Sequence, residues 1–357
     1  MKIKDLGLKI TEREYRELKC ISYSLLSTVD REGYKALKDV FKPTIATKFG
    51  VLTESILFGD YIEDEYYIIP KMEDVGDTLK DACDIIFPKL MRVPYGNHKL
   101  SDYKKDIEAI LKNVDIDYYK KRTVESRAET IIKNASEYWL HMSKSHGKII
   151  ITQEMLDKAK IAANTLKTHK FTSDIFNTHT FMNVEKISQF KLKYKLYDYD
   201  IKVMLDWLVI DHDNKIIKPY DLKTGGKDVE EFEKSFFYWR YDIQAFFYNL
   251  AVKTLAKRYY PNYKIEPFRF VYISRNNVYK PIIWKITDKQ LKGTFKGFYK
   301  NDVYYKGVLE LINEYNWYVD GENIYYSKEV YDNSGELVIN NDIIINDTKR
   351  ENRNQSK

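Results

Sequence analysis

Three residues in the middle of the chain have the types and the spacing that metal-assisted hydrolysis of a phosphodiester needs. Asp221 and Lys223 are two residues apart in a predicted strand, so their side chains leave the same face. Asp206 lies in the strand predicted just before it, and a short turn rich in Asp, Asn and His joins the two. Such a hairpin can bring two carboxylates together with an ammonium group beside them.

The chemistry of such a trio follows from its charges. Two carboxylates can bind a divalent cation that neutralises a phosphate and lowers the pKa of a bound water. An ammonium group nearby can orient the attacking water and stabilise the developing negative charge. An Asp-x-Lys pair on a strand is also common as a solvated polar face. Here the pair precedes Thr224-Gly225-Gly226, and a strand end that opens into a loop is where sites tend to be built.

Two further spacings place polar residues on otherwise apolar helices. Gln244 and Tyr248 are four apart in a helix rich in aromatic residues and therefore share a face. The alternative is a buried tyrosine that makes one hydrogen bond at a helix edge. Glu54 follows Gly50 by four residues in a mainly apolar helix, and glutamate is rarely buried without a partner. Glu54 facing solvent is the alternative for that position.

The hydrophobic pattern predicts helices first and then a sheet. Helical patterns are expected at 11–40, 44–58, 100–111, 118–142 and 152–166, within a mostly helical stretch from about 75 to 190, and a short strand at 66–70. Strands are expected at 184–187, 192–199, 202–211, 216–223, 268–273 and 281–286, and a long helical region at 227–258. This order favours one α+β or α/β domain with a helical elaboration.

Composition excludes several classes of protein and of metal site. The 357 residues are 44% hydrophobic and 31% charged, without an apolar run of membrane-spanning length or an apolar signal core, so we expect a cytoplasmic protein. Cys20 and Cys83 form no CxxC pattern and the six histidines are scattered, which excludes a disulfide framework and cysteine-based zinc or iron–sulfur sites. Any metal should therefore be a hard cation held by carboxylates. The net charge of +6 weakly favours an anionic partner.

The motifs occur in an order that resembles a known family. Gly50-x-x-x-Glu54, Asp206, Asp221-x-Lys223 and Gln244-x-x-x-Tyr248 resemble the motif set of the RecB/lambda-exonuclease branch of PD-(D/E)xK nucleases. The RecE-type, exonuclease VIII-like enzymes of phages and prophages are the nearest likeness, which spans about residues 20–295. Two positions depart from the pattern: Leu205 stands where the family name has proline, and Met204 where many RecE-like members have arginine.

The resemblance implies a fold and a division of the chain. The fold would be a restriction-endonuclease-like α/β core, with a central mixed sheet flanked by helices and a helical N-terminal elaboration. Residues 1–182 would form the helical part that supplies Glu54, and residues 183–295 the nuclease core. A C-terminal helical and strand extension at 296–332 and a polar, disordered tail at 333–357 would follow.

It also implies roles for the motif residues. The implied ligands of two Mg²⁺ or Mn²⁺ ions are Asp206, Asp221, Glu54 and the backbone carbonyl of Leu222. Lys223 would position the attacking water, and Gln244 and Tyr248 would brace the site or touch the DNA. The implied activity is 5′→3′ digestion of double-stranded DNA ends in phage-type recombination, in a bacterial or phage-infected cell. A single-strand annealing protein and a homo-oligomer are the implied partners.

Other residues are weaker candidates for contacts with DNA. Lys227, Lys234 and Arg240 could line a DNA path, and solvated surface charge is the alternative for them. Four aromatic residues suit stacking on unpaired bases, although core packing is favoured for most of them: Trp207, Tyr238, Trp239 and Tyr241. Asp211 and Asp228 are expected to be a turn residue and a helix cap.

Three alternatives to the exonuclease remain open from the sequence. The first is an endonuclease or a single-strand nuclease on the same core. The second is a DNA-binding or phage structural protein that keeps the fold without catalysis. The third is a purely helical interaction protein, which would lack a sheet near residues 183–285.

Overall fold

A mixed sheet flanked by helices organises the second half of the chain and carries the candidate residues. The computed structural model describes residues 5–38, 43–69, 76–91, 98–145, 147–177, 183–321 and 326–337. Pro70, predicted to end a strand, and residues 338–357 of the predicted tail lie outside these ranges. The architecture is mixed α/β, with a mostly antiparallel central sheet, which agrees with the predicted mixed sheet and excludes a purely helical protein.

The elements are numbered here in chain order. The strands are β1 Tyr66–Ile69, β2 Ile149–Thr152, β3 Val184–Leu196, β4 Tyr199–Asp211, β5 Ile216–Gly225, β6 Lys264–Ile265, β7 Arg269–Ser274, β8 Asn277–Lys285, β9 Phe298–Lys300 and β10 Val303–Tyr305. The helices are α1 Glu12–Glu17, α2 Tyr23–Glu32, α3 Ile45–Phe58, α4 Asp77–Leu90, α5 Lys104–Asn113, α6 Val124–Ser145, α7 Gln153–Thr168, α8 Ser173–Phe176, α9 Phe232–Tyr238, α10 Tyr241–Tyr259, α11 Asp288–Lys296, α12 Val308–Gly321 and α13 Lys328–Asp332.

The central sheet has the strand order β3-β4-β5-β7-β8, and β6 also pairs with β5. Neighbouring strands are antiparallel except that β7 and β6 run parallel to β5. The crossover from β5 to β7 passes through α9 and α10, which is the helical connection that a parallel pair requires. Strand β5, which contains Asp221 and Lys223, therefore lies in the interior of the sheet.

Several predicted boundaries are confirmed and several are wrong. Thr44 caps α3 and Thr152 caps α7, because the hydroxyl of each accepts a hydrogen bond from a backbone N–H in the first turn of its helix. Both helices therefore begin where predicted. The strands predicted at 184–187 and 192–199 form one strand, β3, because pairing with β4 continues on both sides of Gln189. Strand β2, which pairs in parallel with β1, was not predicted within the helical stretch.

The predicted helical region at 11–40 is interrupted by an extended segment. Ile21 donates its N–H to Asp200 O and accepts a bond from Lys202 N, both at 2.9 Å, and this pairing ends the helical pattern between α1 and α2. The buried Nζ of Lys202 also donates to three backbone carbonyls at the end of α1, those of Tyr15, Arg16 and Leu18. The N-terminal elements are thereby attached to β4.

The buried residues form three hydrophobic clusters. The first packs one face of the sheet against α10 and α12, and the second packs the other face against α3 and α7. The third joins α4, α5 and α6. The sheet is thus covered on both faces, and any polar group within it needs partners inside the protein. No helix in the described ranges is long and apolar enough to cross a membrane.

We expect Lys202→Met to destabilise the protein by about 1–3 kcal/mol, because it leaves the carbonyls at the end of α1 without their donor. The control is Lys195→Met, at an exposed lysine whose surface ion pair with Asp200 spans 3.1 Å; its effect should stay within about 0.5 kcal/mol. Denaturant unfolding of both variants measures the difference. Equal stability of the two would contradict the proposed attachment.

Candidate active site

The candidate site forms where β4 and β5 separate. Backbone pairing between them ends at Trp207 and Tyr220, so the next residues, Asp206 and Asp221, stand opposite each other without a backbone ladder. The alternation of β4 also slips at this point. Leu205 and Leu208 both pack in the first cluster, whereas Trp207 packs in the second. A regular strand would place residues three apart on opposite faces.

The partner strand β3 has a matching irregularity. Gln189 has a φ of 49° and lies between the paired residues Ser188 and Phe190, which places it across from Asp206. A left-handed residue in a strand disturbs the ladder and redirects side chains. The slip lets the Asp206 carboxylate reach towards β5, where Oδ2 accepts the N–H of Leu222 at 2.9 Å.

Asp221 is the most deeply buried member of the cluster. It is 1% exposed, and Asp206 is 8% exposed. Gln244 Nε2 donates to Asp221 Oδ1 at 2.6 Å. Lys223 Nζ lies 2.5 Å from Asp221 Oδ2 and forms an ion pair with it.

Glu54 reaches this cluster from the opposite face of the sheet. A Cβ atom on Gly50 would lie 2.8 Å from Thr224 Oγ1, so glycine allows α3 to pack this closely against β5. One helical turn later, Glu54 is half-buried and near enough to the other charges to affect them. Its charge raises the pKa of Asp206, and its own pKa responds to Lys223 and Asp221. Close packing of α3 against β5 therefore explains the glycine of the Gly-x-x-x-Glu motif, and the spacing of four places Glu54 one turn further along the helix.

Burial raises the pKa of all three carboxyl groups. The pKa of Glu54 rises to about 7, mainly through burial, although the charge of Lys223 opposes the rise. Burial, followed by the charges of Asp221 and Glu54, holds the pKa of Asp206 well above its usual range. Burial also raises the pKa of Asp221 against the opposing effect of Lys223. Three carboxylates and one ammonium group carry a net charge of minus two, so the fully ionised cluster has two negative charges that Lys223 does not neutralise.

Lys223 is held as an ammonium group. Burial alone would lower its pKa, but the charges of Asp221, Tyr241 and Asp206 outweigh burial and raise the pKa well above the ordinary value. Its Nζ lies 4.8 Å from the ring centroid of Tyr241, a cation–π contact. Tyr23 packs against Tyr241 with ring centroids 6.0 Å apart. We did not predict this support for Lys223, although Tyr241 precedes Gln244 by three residues on the same helix.

Helix α10 delivers both of its predicted residues to the cluster. Gln244 is 4% exposed, and its Oε1 has no hydrogen-bond partner among the described residues. Tyr248 is 9% exposed. Burial, with the nearby charge of Asp221, raises its pKa well above the ordinary value. A buried amide oxygen beside acidic groups is an acceptor that a cation or a water could satisfy.

The donor chemistry of the cluster suits a hard cation, but its spacing is not that of a formed metal site. Within the described ranges, no group of three or more His, Cys, Asp or Glu side chains is arranged to hold a metal ion. Lys223 and the amide of Gln244 contact the two oxygens of Asp221, and Asp206 accepts the N–H of Leu222. In this arrangement, hydrogen bonds and one ion pair engage the carboxylate oxygens.

The three predicted basic contacts to DNA have different surroundings. Lys227 and Lys234 are exposed, and Lys234 pairs with Glu231 at 2.6 Å. Arg240 is 2% exposed and left-handed, with a φ of 55°. Asp242 binds its guanidinium at 3.0 and 3.1 Å, and Asp30 and the carbonyl of Lys306 complete the contacts. This burial argues against contact between Arg240 and DNA.

The aromatic candidates also divide. Trp207 belongs to the second cluster and donates its Nε1–H to Ile175 O at 2.9 Å, as core packing predicts. Tyr238 and Trp239 are exposed instead, at 64% and 40%. Asp211 accepts the N–H of Asn214 in the turn between β4 and β5, and Asp228 accepts that of Glu230 as a cap, both as expected.

Comparison with known proteins gives little. No family model matches the sequence, and no curated protein matches it. Among solved structures, a chain from Eubacterium rectale named as a candidate exonuclease matches with a TM-score of 0.45 and 13% identity, over 94% of this chain and 96% of that chain. A likeness at this level carries no inference about the present protein.

Arg240→Met should lower the free energy of unfolding by about 3–5 kcal/mol, because it leaves the carboxylates of Asp242 and Asp30 buried without their cation. The control is Lys234→Met, at an exposed lysine eight residues before Asp242 in the sequence. It should change stability by less than about 0.5 kcal/mol. Denaturant unfolding measures both. A stable Arg240→Met protein with weakened DNA binding would instead support the original prediction for Arg240.

Glu54→Gln should stabilise the metal-free protein in a pH-dependent way. The pKa of Glu54 is about 7 in the folded chain against an ordinary value of 4.5, so the folded state binds the proton more tightly. The stability that this adds to the wild type is complete below about pH 4.5 and is lost as the pH rises through 7. The advantage of the glutamine variant should therefore grow between pH 5 and 8. Unfolding with a chelator present measures it, and a constant difference would refute the assignment.

Proposed function

We propose that this chain is a metal-dependent deoxyribonuclease of the PD-(D/E)xK superfamily, most similar to the RecE-type exonucleases. The observation that carries the proposal is the convergence of Asp206, Asp221 and Lys223 in one buried cluster with Glu54 and Gln244. If the Asp-x-Lys pair only formed a solvated polar face, both side chains would be exposed and no polar residues from other segments would converge on them. Instead Asp221 is 1% exposed, and residues from three separate segments of the chain surround it.

The charge of the cluster supports a divalent cation as cofactor. Its net charge of minus two, with all three carboxyl groups ionised, is what one Mg²⁺ or Mn²⁺ neutralises, and carboxylate and carbonyl oxygens are the donors that these ions prefer. Asp206, Asp221, Glu54 and the carbonyl of Leu222 would hold the ions, of which the family resemblance implies two. When bound, such a cation lowers the pKa of a water molecule and neutralises charge on the phosphate.

The other residues have roles that follow from their contacts. Lys223 stays protonated because its pKa is raised, so it acts as a hydrogen-bond donor and positive charge rather than as a base. It can orient the attacking water and stabilise charge on the phosphate oxygens. Gln244 fixes the orientation of the Asp221 carboxylate. Tyr248, buried beside the same carboxylate, limits the space in which the cluster can rearrange.

The polarity and the partners rest on the family resemblance. We propose 5′→3′ digestion of double-stranded ends, in a recombination pathway that passes single strands to an annealing protein, by an enzyme that forms homo-oligomers. The exposed Lys227 lies two residues after the end of β5 and can contribute to a positive path for the DNA. An endonuclease, a single-strand nuclease and a non-catalytic DNA-binding protein are the competing functions.

Asp221→Asn and Lys223→Ala should each reduce the hydrolysis of end-labelled duplex DNA in Mg²⁺ by about 100-fold or more, since the first weakens the proposed cation site and the second removes the positive charge beside the phosphate. The turn between β4 and β5 offers a matched control with the same spacing, the exposed pair Asp213 and Lys215. Asp213→Asn and Lys215→Ala should retain activity. Thermal unfolding of all four variants separates loss of chemistry from loss of fold.

The same assay separates the competing functions. A chelator should abolish the activity, closed circular duplex should survive, and the label should be released from the 5′ end first. Cleavage of closed circles would indicate an endonuclease. Wild-type protein that binds DNA and degrades none of it with Mg²⁺ or Mn²⁺ would favour the non-catalytic protein and overturn the proposal.

A further inference from the structure

A guanidinium and two exposed aromatic rings form a surface at the junction of α9 and α10. We call Arg31, Tyr238 and Trp239 the aromatic surface. The rings of Tyr238 and Trp239 pack edge to face with centroids 4.8 Å apart. The guanidinium of Arg31 lies 4.4 Å from the Trp239 centroid and 5.9 Å from that of Tyr238. Two adjacent exposed rings with a planar guanidinium over them can stack on a flat ligand.

The backbone beneath this surface is fixed. Tyr23 donates its hydroxyl to Trp239 O at 2.8 Å. The next residue, Arg240, is held in its left-handed conformation by ion pairs with Asp242 and Asp30. The helices therefore stop and restart at a rigid junction that turns the two rings outwards. A rigid aromatic pair loses little entropy when it binds a flat ligand.

The aromatic surface is connected to the candidate active site through two packed tyrosines. Lys223 Nζ contacts the Tyr241 ring, Tyr241 packs against Tyr23, and Tyr23 bonds to the backbone of Trp239. The charges of Lys223 and Asp221 reach Tyr23 strongly enough to affect its pKa, which burial raises. Three successive contacts therefore join the ammonium group of Lys223 to the backbone that carries the exposed rings.

We propose that the aromatic surface binds unpaired bases of the DNA strand whose phosphodiester bond lies at Lys223. This inference rests on the proposed nuclease function and names the form of its substrate. Bases of any sequence can stack on aromatic rings, as in proteins that bind single strands. Arg31 is ion-paired with Glu32 at 2.5 Å, so its charge is partly neutralised while its planar group lies over Trp239. The surface thus suits the faces of bases rather than phosphates.

Trp239→Ala tests this proposal through binding rather than hydrolysis. The full chain is titrated, with a chelator present, against a fluorescent oligothymidine of about 20 nucleotides and an abasic strand of equal length. Loss of the ring should weaken binding of oligothymidine about tenfold, a typical effect of one lost stacking contact, and leave the abasic strand unaffected. Trp239→Phe should restore most of the affinity.

The segment between α5 and α6 offers a matched control. Tyr119 is 53% exposed, and the Arg122 guanidinium lies 4.3 Å from its ring centroid. Tyr119→Ala removes a similar pair of ring and cation from another part of the chain. It should leave the affinities for oligothymidine and for the abasic strand unchanged. If Trp239→Ala binds oligothymidine like the wild type, or loses equal affinity for both strands, the proposal is overturned.

The outcome is separable from that of the nuclease assay. Oligothymidine binding that depends on Trp239, in a protein that hydrolyses no DNA, would support the aromatic surface and reject the nuclease. Duplex hydrolysis that depends on Lys223, with oligothymidine binding indifferent to Trp239, would do the reverse. A wild type that binds neither strand overturns the aromatic surface, and a partner protein that binds there in place of DNA does so as well.

Discussion

The burial of two carboxylates beside one ammonium group is the constraint on which the rest of the site depends. An ionised carboxylate inside a protein is unfavourable unless it is paired and hydrogen-bonded. Asp221 meets this requirement with Lys223 and Gln244, and Asp206 meets it with the N–H of Leu222. These partners come from β5 itself and from α10, so the crossover helix cannot be displaced from the sheet without exposing a buried charge. The cluster and the packing of α10 are one structural unit.

The separation of β4 and β5 is what makes room for this unit. A continuous ladder would pair the backbones at Asp206 and Asp221 and direct their side chains by the regular alternation of a strand. The slip at Asp206, matched by the left-handed Gln189 on β3, turns the carboxylate towards the N–H of Leu222 instead. On the other face of the sheet, Gly50 lets α3 approach Thr224 closely, and Glu54 on the same helix is near enough to the charges of the cluster to respond to them. The irregular backbone of β3 and β4 and the close packing of α3 thus both bring carboxyl groups into the same cluster.

Local spacing in the sequence was enough to predict some of this arrangement. The interval of two between Asp221 and Lys223 and of four between Gln244 and Tyr248 define shared faces whatever surrounds them. The slip at Asp206 depends instead on the conformation of Gln189 and on which cluster Leu205 and Leu208 join, which no local pattern encodes. Arg240 is the clearest failure. Its charge suggested a surface, but Asp30, 210 residues away in the chain, makes it a buried ion pair.

That ion pair also explains why the candidate site and the aromatic surface share one support. Asp30 precedes Arg31 on α2, and Arg240 follows Trp239 and precedes Tyr241, the residue under Lys223. One guanidinium therefore fixes the helix that carries the stacking cation, the junction that carries the exposed rings and the start of the helix that carries Gln244. Breaking it would loosen the aromatic surface and the acidic cluster together. These ion pairs are buried, and breaking them costs several kcal/mol. They therefore fix the positions of the aromatic surface and the candidate site relative to each other without any contribution from a bound substrate.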